Sequence, residues 1–410
     1  MKYSNSLKYM NGFQPSESSA DISQKRAALL CASLGKINVG LRSIYLPHSG
    51  SGHALAVMLE AVMLSAGHRV GRITSAFDFD SRASVYICGE TPSIEDYNGA
   101  VEELKSAVKR NPDVPFTREE TTFALGLLLC RMTGCEYVIL EGLSGADYSL
   151  DALCAPYELI IMPTVYGNSA SCDIKCLCEA IRRETREVVS GNQKSEVYNT
   201  ISNACAMSGA RLYIPVKAQF EVKEVSSRNL SFSYVGREGF SIKNPSYMLR
   251  DLAITVIESA LALRRGGVRL PWSSIIEGLS SVTNTCCFDM LSLSPKLILD
   301  TATFSEEAAL VVKTADELWG EGALDGATVC AAASSLGALD AFKEGSTGEV
   351  IVFNRDGNAD INDNVKFFDT LQKTAKAVCF DMFTGKNVVC FGDVGFISSL
   401  KTELLKLMNG

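Results

Sequence analysis

No stretch of this 410-residue chain approaches the roughly 20 consecutive apolar residues that a membrane helix needs; candidates such as 124–130 are short core segments. The opening MKYSNSLKYMNGFQ lacks the apolar centre of a signal peptide. Basic runs are missing too, and 39 Lys+Arg against 47 Asp+Glu leave a net charge of −8, which argues against nucleic acid as a partner. There is no low-complexity segment and no fixed-period repeat. Histidine occurs only at His48, His53 and His68, and no lysine lies between Lys36 and Lys105. What the chain does have is apolar surface: 47% hydrophobic and 21% charged residues exclude disorder as its main state. The 14 cysteines sit in apolar runs such as Leu30-Cys31-Ala32 and Val389-Cys390-Phe391. That usage suits buried thiols in a reducing cytoplasm better than a disulfide framework.

The length exceeds one core and predicts two domains. Residues 1–20 are polar and serine-rich and read as a frayed start, followed by a helix over 24–34 that Gly35 closes. A strand at 43–46, a small-residue loop His48-Ser49-Gly50-Ser51-Gly52-His53, a helix over 54–66 and a strand at 69–74 make a βαβ unit and a parallel sheet. The alternation continues with a strand at 84–88, helices at 93–110 and 117–131, strands at 137–141 and 159–163, and a charged helix over 173–190. Residues 219–242 alternate apolar and polar side chains and read as an antiparallel insertion, with helices following at 247–265 and 273–279. Strand patterns recur at 296–300, 328–332, 349–354, 377–381 and 387–391, predicting a smaller, Rossmann-like α/β domain. The boundary is placed at 285, giving domains 1–285 and 286–410, with the vicinal Cys286-Cys287 as the hinge.

In this frame the chain resembles the folylpolyglutamate synthases of the Mur ligase superfamily. Residues 55–75 resemble the helix and strand after that family's P-loop, and 85–96 (VYICGETPSIED) its R-I-R-I-N-G segment. Residues 116–129 match its T-x-F-E helix, with Glu120 at the Glu, and 135–141 (CEYVILE) the strand ending at a magnesium-binding Glu, here Glu141. In the second domain Phe288-Asp289 falls at G-R-F-E and Leu299-Asp300 at L-D-G-A-H-N-P. The resemblance implies an α/β fold with a P-loop-type doubly wound N-terminal domain and a Rossmann-like C-terminal one. It also implies ATP and Mg²⁺ as cofactors, and ligation of glutamate to a folate through an acyl phosphate.

The departures fall on the chemistry. The family's phosphate loop, G-T-N-G-K-G-S, lies on residues 48–54, so that Gly52 takes the Lys position and Ala54 the Ser position. In a P-loop that Lys reaches the β/γ-phosphates and the hydroxyl binds Mg²⁺. The nearest replacement cation is Arg72. The metal-binding His of S-x-x-x-D-H is missing from 163–168, Thr185 stands at the carbamylated Lys, and Cys287 at the Arg of G-R-F-E. Thr303-Phe304-Ser305 replaces H-N-P. Truncating one partner of a buried charge pair costs roughly 2–5 kcal/mol.

These residues carry the remaining expectations. The degenerate loop Ser49, Gly50, Ser51, Gly52 and His53 is either a nucleotide or anion site on a helix N-terminus or a relic turn. His48 and His53, five apart, are open to a metal but read better as surface histidines. Cys172, Cys176 and Cys178 read as packing thiols rather than a zinc site. Glu141 is either a remnant metal ligand or a carboxylate bonding a neighbouring loop. Asp300 ends the first strand of the second domain and faces the expected cleft, and Arg182, Arg183 and Arg186 form a solvated helix face with Glu179, Glu184 and Glu187. The function predicted is a folylpolyglutamate synthase-like protein with lost or much reduced ligase activity and a binding or regulatory role. Its ligand would be nucleotide- or folate-like, its partner an active paralogue, its place the cytoplasm. The alternative is a divergent ATP-dependent amide ligase with Arg72, His53 and Glu141 in new roles.

Overall fold

The computed structural model describes residues 2–15, 19–47, 51–74, 81–142, 150–166, 178–181, 185–283, 285–342, 348–354 and 365–409. The first expectation to change is at the start of the chain. Tyr3–Met10 forms helix α1, because Tyr3, Leu7 and Met10 recur at helical spacing and face inward. Tyr3 meets Tyr97 edge-on at 5.7 Å, and Ser6 Oγ donates to Asn98 Oδ1. The 1–20 region is therefore not a frayed segment throughout.

Helix α2 (Ala20–Ser33) leads to β1 (Arg42–Leu46), α3 (Gly52–Ser65), β2 (Val70–Ile73) and β3 (Val85–Ile87). Next come α4 (Ile94–Lys109), capped by Ser93, and α5 (Arg118–Met132), with a Thr117/Glu120 capping box. Strands β4 (Tyr137–Glu141), β5 (Leu159–Met162) and β6 (Glu187–Ser190), helix α6 (Ser195–Ser208) and strand β7 (Arg211–Tyr213) complete a seven-stranded sheet, ordered β3-β2-β4-β1-β5-β6-β7. All pairs are parallel except β2 with β3. β4 lies between β1 and β2, and all five of its residues are buried, the near-continuous apolar pattern that two covered faces demand.

Residues 187–190, expected as the end of a helix, are the buried strand β6. Glu187 pairs with Arg211 of β7 rather than with arginines of its own helix face. Glu179 and Arg186 of that expected face are exposed, and residues 182–184 lie outside the described residues, as do Cys172 and Cys176.

The 219–242 segment is antiparallel, as its alternation predicts: β8 (Phe220–Ser226), β9 (Asn229–Tyr234) and β10 (Arg237–Ile242) form a three-stranded sheet. Helices α7 (Tyr247–Arg265) and α8 (Trp272–Ser281) follow. α8 crosses α3 so closely that a Cβ built on Gly278 would lie 2.4 Å from Val62 Cα. Only glycine permits this backbone contact.

A six-stranded sheet, ordered β11-β12-β16-β13-β14-β15, comprises β11 (Asp289–Leu293), β12 (Lys296–Asp300), β13 (Thr328–Ala332), β14 (Val350–Phe353), β15 (Val365–Phe368) and β16 (Val388–Phe391). Its helices are α9 (Ser305–Trp319), α10 (Leu371–Phe383) and α11 (Val394–Asn409). Residues 377–381, expected as a strand, lie inside α10. There Thr374, Ala375, Val378 and Asp381 are buried at helical spacing, and Thr370 caps the start. The short run AVCFD imitates a strand only when read without its flanks.

The chain divides into two compact units. The first comprises Met1–Val165, Ser169–Lys217 and Ile254–Ser281, and the second Tyr166–Asn168, Ala218–Ala253 and Val282–Gly410. This division assigns 218–253 to the second unit, whereas the sequence reading places one boundary at 285. Among the described residues no helix is long and apolar enough to cross a membrane.

Candidate functional site

Two positional rules bring the charged residues of the first unit together. Arg72 of β2 is the register partner of Ile139 on β4, so Glu141, two residues on, shares its face of the sheet. On α3, His53 and Glu60 are seven apart, two helical turns, and so share one face of the helix. The result is a buried cluster of His53, Glu60, Arg72 and Glu141.

Arg72 is the centre of this cluster. Its Nη1 donates to Glu141 Oε1 at 2.5 Å, its Nε donates to Glu60 Oε2 at 2.8 Å, and its guanidinium lies 4.0 Å from the centroid of the Tyr86 ring. His53 Nδ1 donates to the other Glu141 oxygen, Oε2, at 3.1 Å. Glu60 Oε1 accepts the Gly89 N–H at 2.9 Å, which ties the turn after β3 to α3. Burial opposes the charge on Arg72, but the Glu141 and Glu60 carboxylates override it and hold the guanidinium protonated. Burial alone would raise the Glu141 carboxyl. The His53 imidazole and the Arg72 guanidinium outweigh it and hold that group at about 2.

Three residues singled out from the sequence, His53, Arg72 and Glu141, thus converge. Two that complete the cluster were missed, Glu60 and Tyr86. The signal for Glu60 was present: it is the one carboxylate in the otherwise apolar run ALAVMLEAVMLSA, and a charge on a buried face requires a partner.

Of the loop residues, His48, Ser49 and Gly50 lie outside the described residues. Ser51 precedes α3, and Gly52 and His53 open it. The Ser51 side chain does not cap the helix; its Oγ is buried and finds no hydrogen-bond partner among the described residues.

The family resemblance calls for Mg²⁺ at Glu141, and the donor set here does not fit that ion. Mg²⁺ demands near-octahedral oxygen ligands. Both Glu141 oxygens already accept from Arg72 and His53, a fixed guanidinium repels a divalent cation, and Ala54 offers no hydroxyl. No group of three or more His, Cys, Asp and Glu side chains among the described residues is arranged to hold a metal.

The other positions compared with family motifs serve the fold. Glu120 is fully buried; its Oε1 accepts from Arg26 Nε at 2.9 Å and Nη2 at 2.7 Å, and its Oε2 accepts the Thr117 N–H at 3.0 Å. Thr185 is buried, its hydroxyl directed at the Ala180 carbonyl, 3.4 Å away. In the second unit Glu307 Oε2 accepts the N–H groups of Thr303 and Phe304 at 2.9 and 3.3 Å.

Asp300, the second-domain candidate, is buried, and both its oxygens are occupied by backbone: Phe288 N–H at 2.6 Å and Ala302 N–H at 2.8 Å. Burial pushes its carboxyl up to about 7 against the two amide donors, and Glu307 adds to the rise. The segment it holds is unusual, with positive φ at Cys286 (56°) and Phe288 (48°). The Asn244 amide pins it further by donating to the Cys287 and Phe288 carbonyls at 2.6 and 2.7 Å. Cys286 and Cys287 face different neighbours, Ser398 and Thr301.

No protein-family model matches the chain, and no curated protein does. Solved structures do. An FPGS–AMPPCP–folate complex aligns at TM-score 0.81 and 16% identity, covering 99% of this chain and 100% of that one. The Thermotoga maritima folylpolyglutamate synthase aligns at TM-score 0.75 and 18% identity over 98% and 96% of the two chains. The Mycobacterium tuberculosis enzyme, solved with ADP and AMPPCP, aligns at 0.75 and 15% over 93% and 95%. At these identities the likeness establishes the fold: this chain has the two-domain α/β architecture of the folylpolyglutamate synthases and Mur ligases.

Proposed function

We propose that this chain is a folylpolyglutamate synthase-like protein whose ATP-dependent ligase activity is lost or much reduced. It serves instead as a metal-independent binding or regulatory protein for an anionic small molecule of the nucleotide or folate class. The observation that carries this reading is the capture of both Glu141 oxygens by Arg72 and His53. Phosphoryl transfer depends on positioning and on neutralising the charge that spreads over the phosphate oxygens. A P-loop ligase meets that need with a Lys and a Mg²⁺. Here the loop has no Lys, and the Arg72 guanidinium is spent on two carboxylates of its own fold.

Retained binding is supported by different features. Helix α3 presents its N-terminus after the Gly/Ser loop, where backbone N–H groups and the helix dipole favour an anion. The buried Ser51 hydroxyl beside it has no partner among the described residues. Structural relatives of this fold are solved with AMPPCP, ADP and folate. The free, mostly buried cysteines support a reducing, cytoplasmic location for this protein.

The test is calorimetric titration of the purified protein with ATP, with ATP plus Mg²⁺, and with a reduced folate, alongside an assay for ADP release and incorporation of labelled glutamate. The expected result is saturable binding of a nucleotide or folate that Mg²⁺ does not strengthen, without turnover. Mg²⁺-dependent ATP binding with glutamate incorporation would overturn the reading and establish the divergent ligase in its place.

A further inference from the structure

Helix α5 ends in a turn with a specific side-chain consequence. Gly134 takes a left-handed conformation (φ 72°), its N–H bonds the Arg131 carbonyl at 3.2 Å, and the Cys135 N–H bonds back to the Cys130 carbonyl at 2.8 Å. This pair of bonds defines a Schellman motif, which brings the side chains of its first and last residues into contact. In most proteins that contact is between two hydrophobes; here it is between two thiols.

The absence of a side chain at Gly71 of β2 makes room for them. A Cβ built there would lie 2.2 Å from Cys130 Sγ and 3.5 Å from Cys135 Sγ, so the Cys130 sulfur fills the space of the missing side chain and the Cys135 sulfur lies beside it. Thr133 Oγ1 stands 3.6 Å from the Cys135 sulfur. The Arg69 guanidinium closes over the turn, its Nη2 donating to the Thr133 carbonyl at 2.6 Å.

We infer that Cys130 and Cys135 are a redox-active dithiol, oxidised by a hydroperoxide to an intramolecular disulfide that staples the end of α5. The assignment of roles follows from the environment. Cys135 is the more accessible, at 8% exposure against 0% for Cys130. The neighbouring Cys130 thiol lowers the Cys135 thiol, with smaller help from Thr133 and Arg69 against its burial, whereas the Cys135 sulfur and full burial raise Cys130. Cys135 is therefore the attacking thiolate and Cys130 the resolving thiol. The Cys135 sulfur attacks a peroxide oxygen; an S–O bond forms, the O–O bond breaks, and the departing hydroxide takes a proton to leave as water. The Cys130 thiol loses its proton and attacks the Cys135 sulfur, forming the S–S bond and expelling the sulfenic oxygen as a second water. Two thiols and one hydrogen peroxide give one disulfide and two waters.

Arg131 lies between the two cysteines, so trypsin separates them. Native protein is treated with a small excess of hydrogen peroxide, free thiols are alkylated, and the digest is mapped by mass spectrometry. The expected product is peptide 119–131 joined to 132–175, with fragmentation placing the link on Cys135 and not on Cys154 or Cys172 of the same peptide, and it is reversed by a dithiol reductant. Cys130→Ala should instead leave a sulfenic acid on Cys135 that dimedone traps. If that variant fails to fold, the wild-type map decides alone. Linkage of Cys135 to any other cysteine, or full alkylation of Cys130 and Cys135 while other thiols oxidise, would overturn the assignment.

Discussion

Arg72 Nη1 stands 2.5 Å from Glu141 Oε1, on adjacent strands β2 and β4 whose register puts both side chains on the face that α3 covers. The guanidinium neutralises a buried carboxylate from within the fold. That relationship fixes both the stability of the first unit and the chemistry open to it. A buried pair of this kind adds little net stability against an apolar replacement, but removing one partner leaves an uncompensated charge.

Arg72→Met is accordingly expected to destabilise the protein by about 3–5 kcal/mol, because it strands Glu60 and Glu141 in the interior. Combining it with Glu60→Gln and Glu141→Gln, which remove the stranded charges, should recover more than half of that loss. Chemical denaturation of the three single variants and the combined one reads the coupling. Additive losses in the combined variant would show that the cluster does not act as a unit.

Glu141 makes the first unit acid-sensitive. Its folded pKa of about 2 lies below its ordinary value of 4.5, so the stabilisation is fully present above pH 4.5 and is lost as pH falls through 2. The shift corresponds to about 3 kcal/mol. Glu141→Gln should be the less stable protein near neutrality and converge with the wild type toward pH 2. Parallel stability curves for the two proteins, measured by denaturant unfolding across that range, would remove Glu141 as the titrating group.

Much of this was legible from the residues alone. Buried parallel strands announce themselves as apolar runs, so 137–141 and 159–163 were found nearly to the residue. The alternation at 219–242 marked the antiparallel sheet for the same reason. Short amphipathic pieces were harder. The 377–381 run carries strand-forming residues whose helical register shows only across the whole of α10, and 187–190 was absorbed into a charged stretch that hid its burial. At the site, single residues were found but not their relationship. His53 read as a surface histidine but is buried, Arg72 read as a stand-in cation, and Glu141 as either a remnant ligand or a loop-bonding carboxylate, because nothing local in the sequence says that β2 and β4 are neighbours. Once that adjacency is known, a charge on one strand and its partner on the next become a pair.

The crossing of α8 over α3 holds the cluster's helix in place and depends on Gly278. Its missing Cβ would meet the backbone of Val62 at 2.4 and 2.7 Å and the Ala61 carbonyl oxygen at 2.8 Å, and backbone cannot swing aside. Gly278→Ala should cost about 3 kcal/mol or more, the upper end of overpacking penalties. Gly126→Ala offers a contrast, since its Cβ would meet the Ile73 side chain at 2.8 Å, which has rotamers to yield. Thermal melts should rank Gly278→Ala well below Gly126→Ala. Equal melting temperatures would mean that the two helices slide apart without penalty.

Asp300 produces the opposite pH dependence in the second unit. Its folded pKa of about 7 lies above its ordinary value of 3.8, so the stabilisation it contributes is fully present below pH 3.8 and is lost as pH rises through 7. The difference corresponds to about 4 kcal/mol. Asp300→Asn cannot ionise, but it turns one amide N–H toward a backbone N–H of Phe288 or Ala302, at a cost of about 1–3 kcal/mol. The wild type should therefore be the more stable of the two at pH 4, lose that advantage as pH rises and become the less stable by about pH 7, above which the gap levels off. Denaturant unfolding of both proteins at intervals across that range measures the gap directly. A gap that stays constant would mean that Asp300 keeps its charge throughout, held by the Phe288 and Ala302 amides strongly enough to cancel its burial.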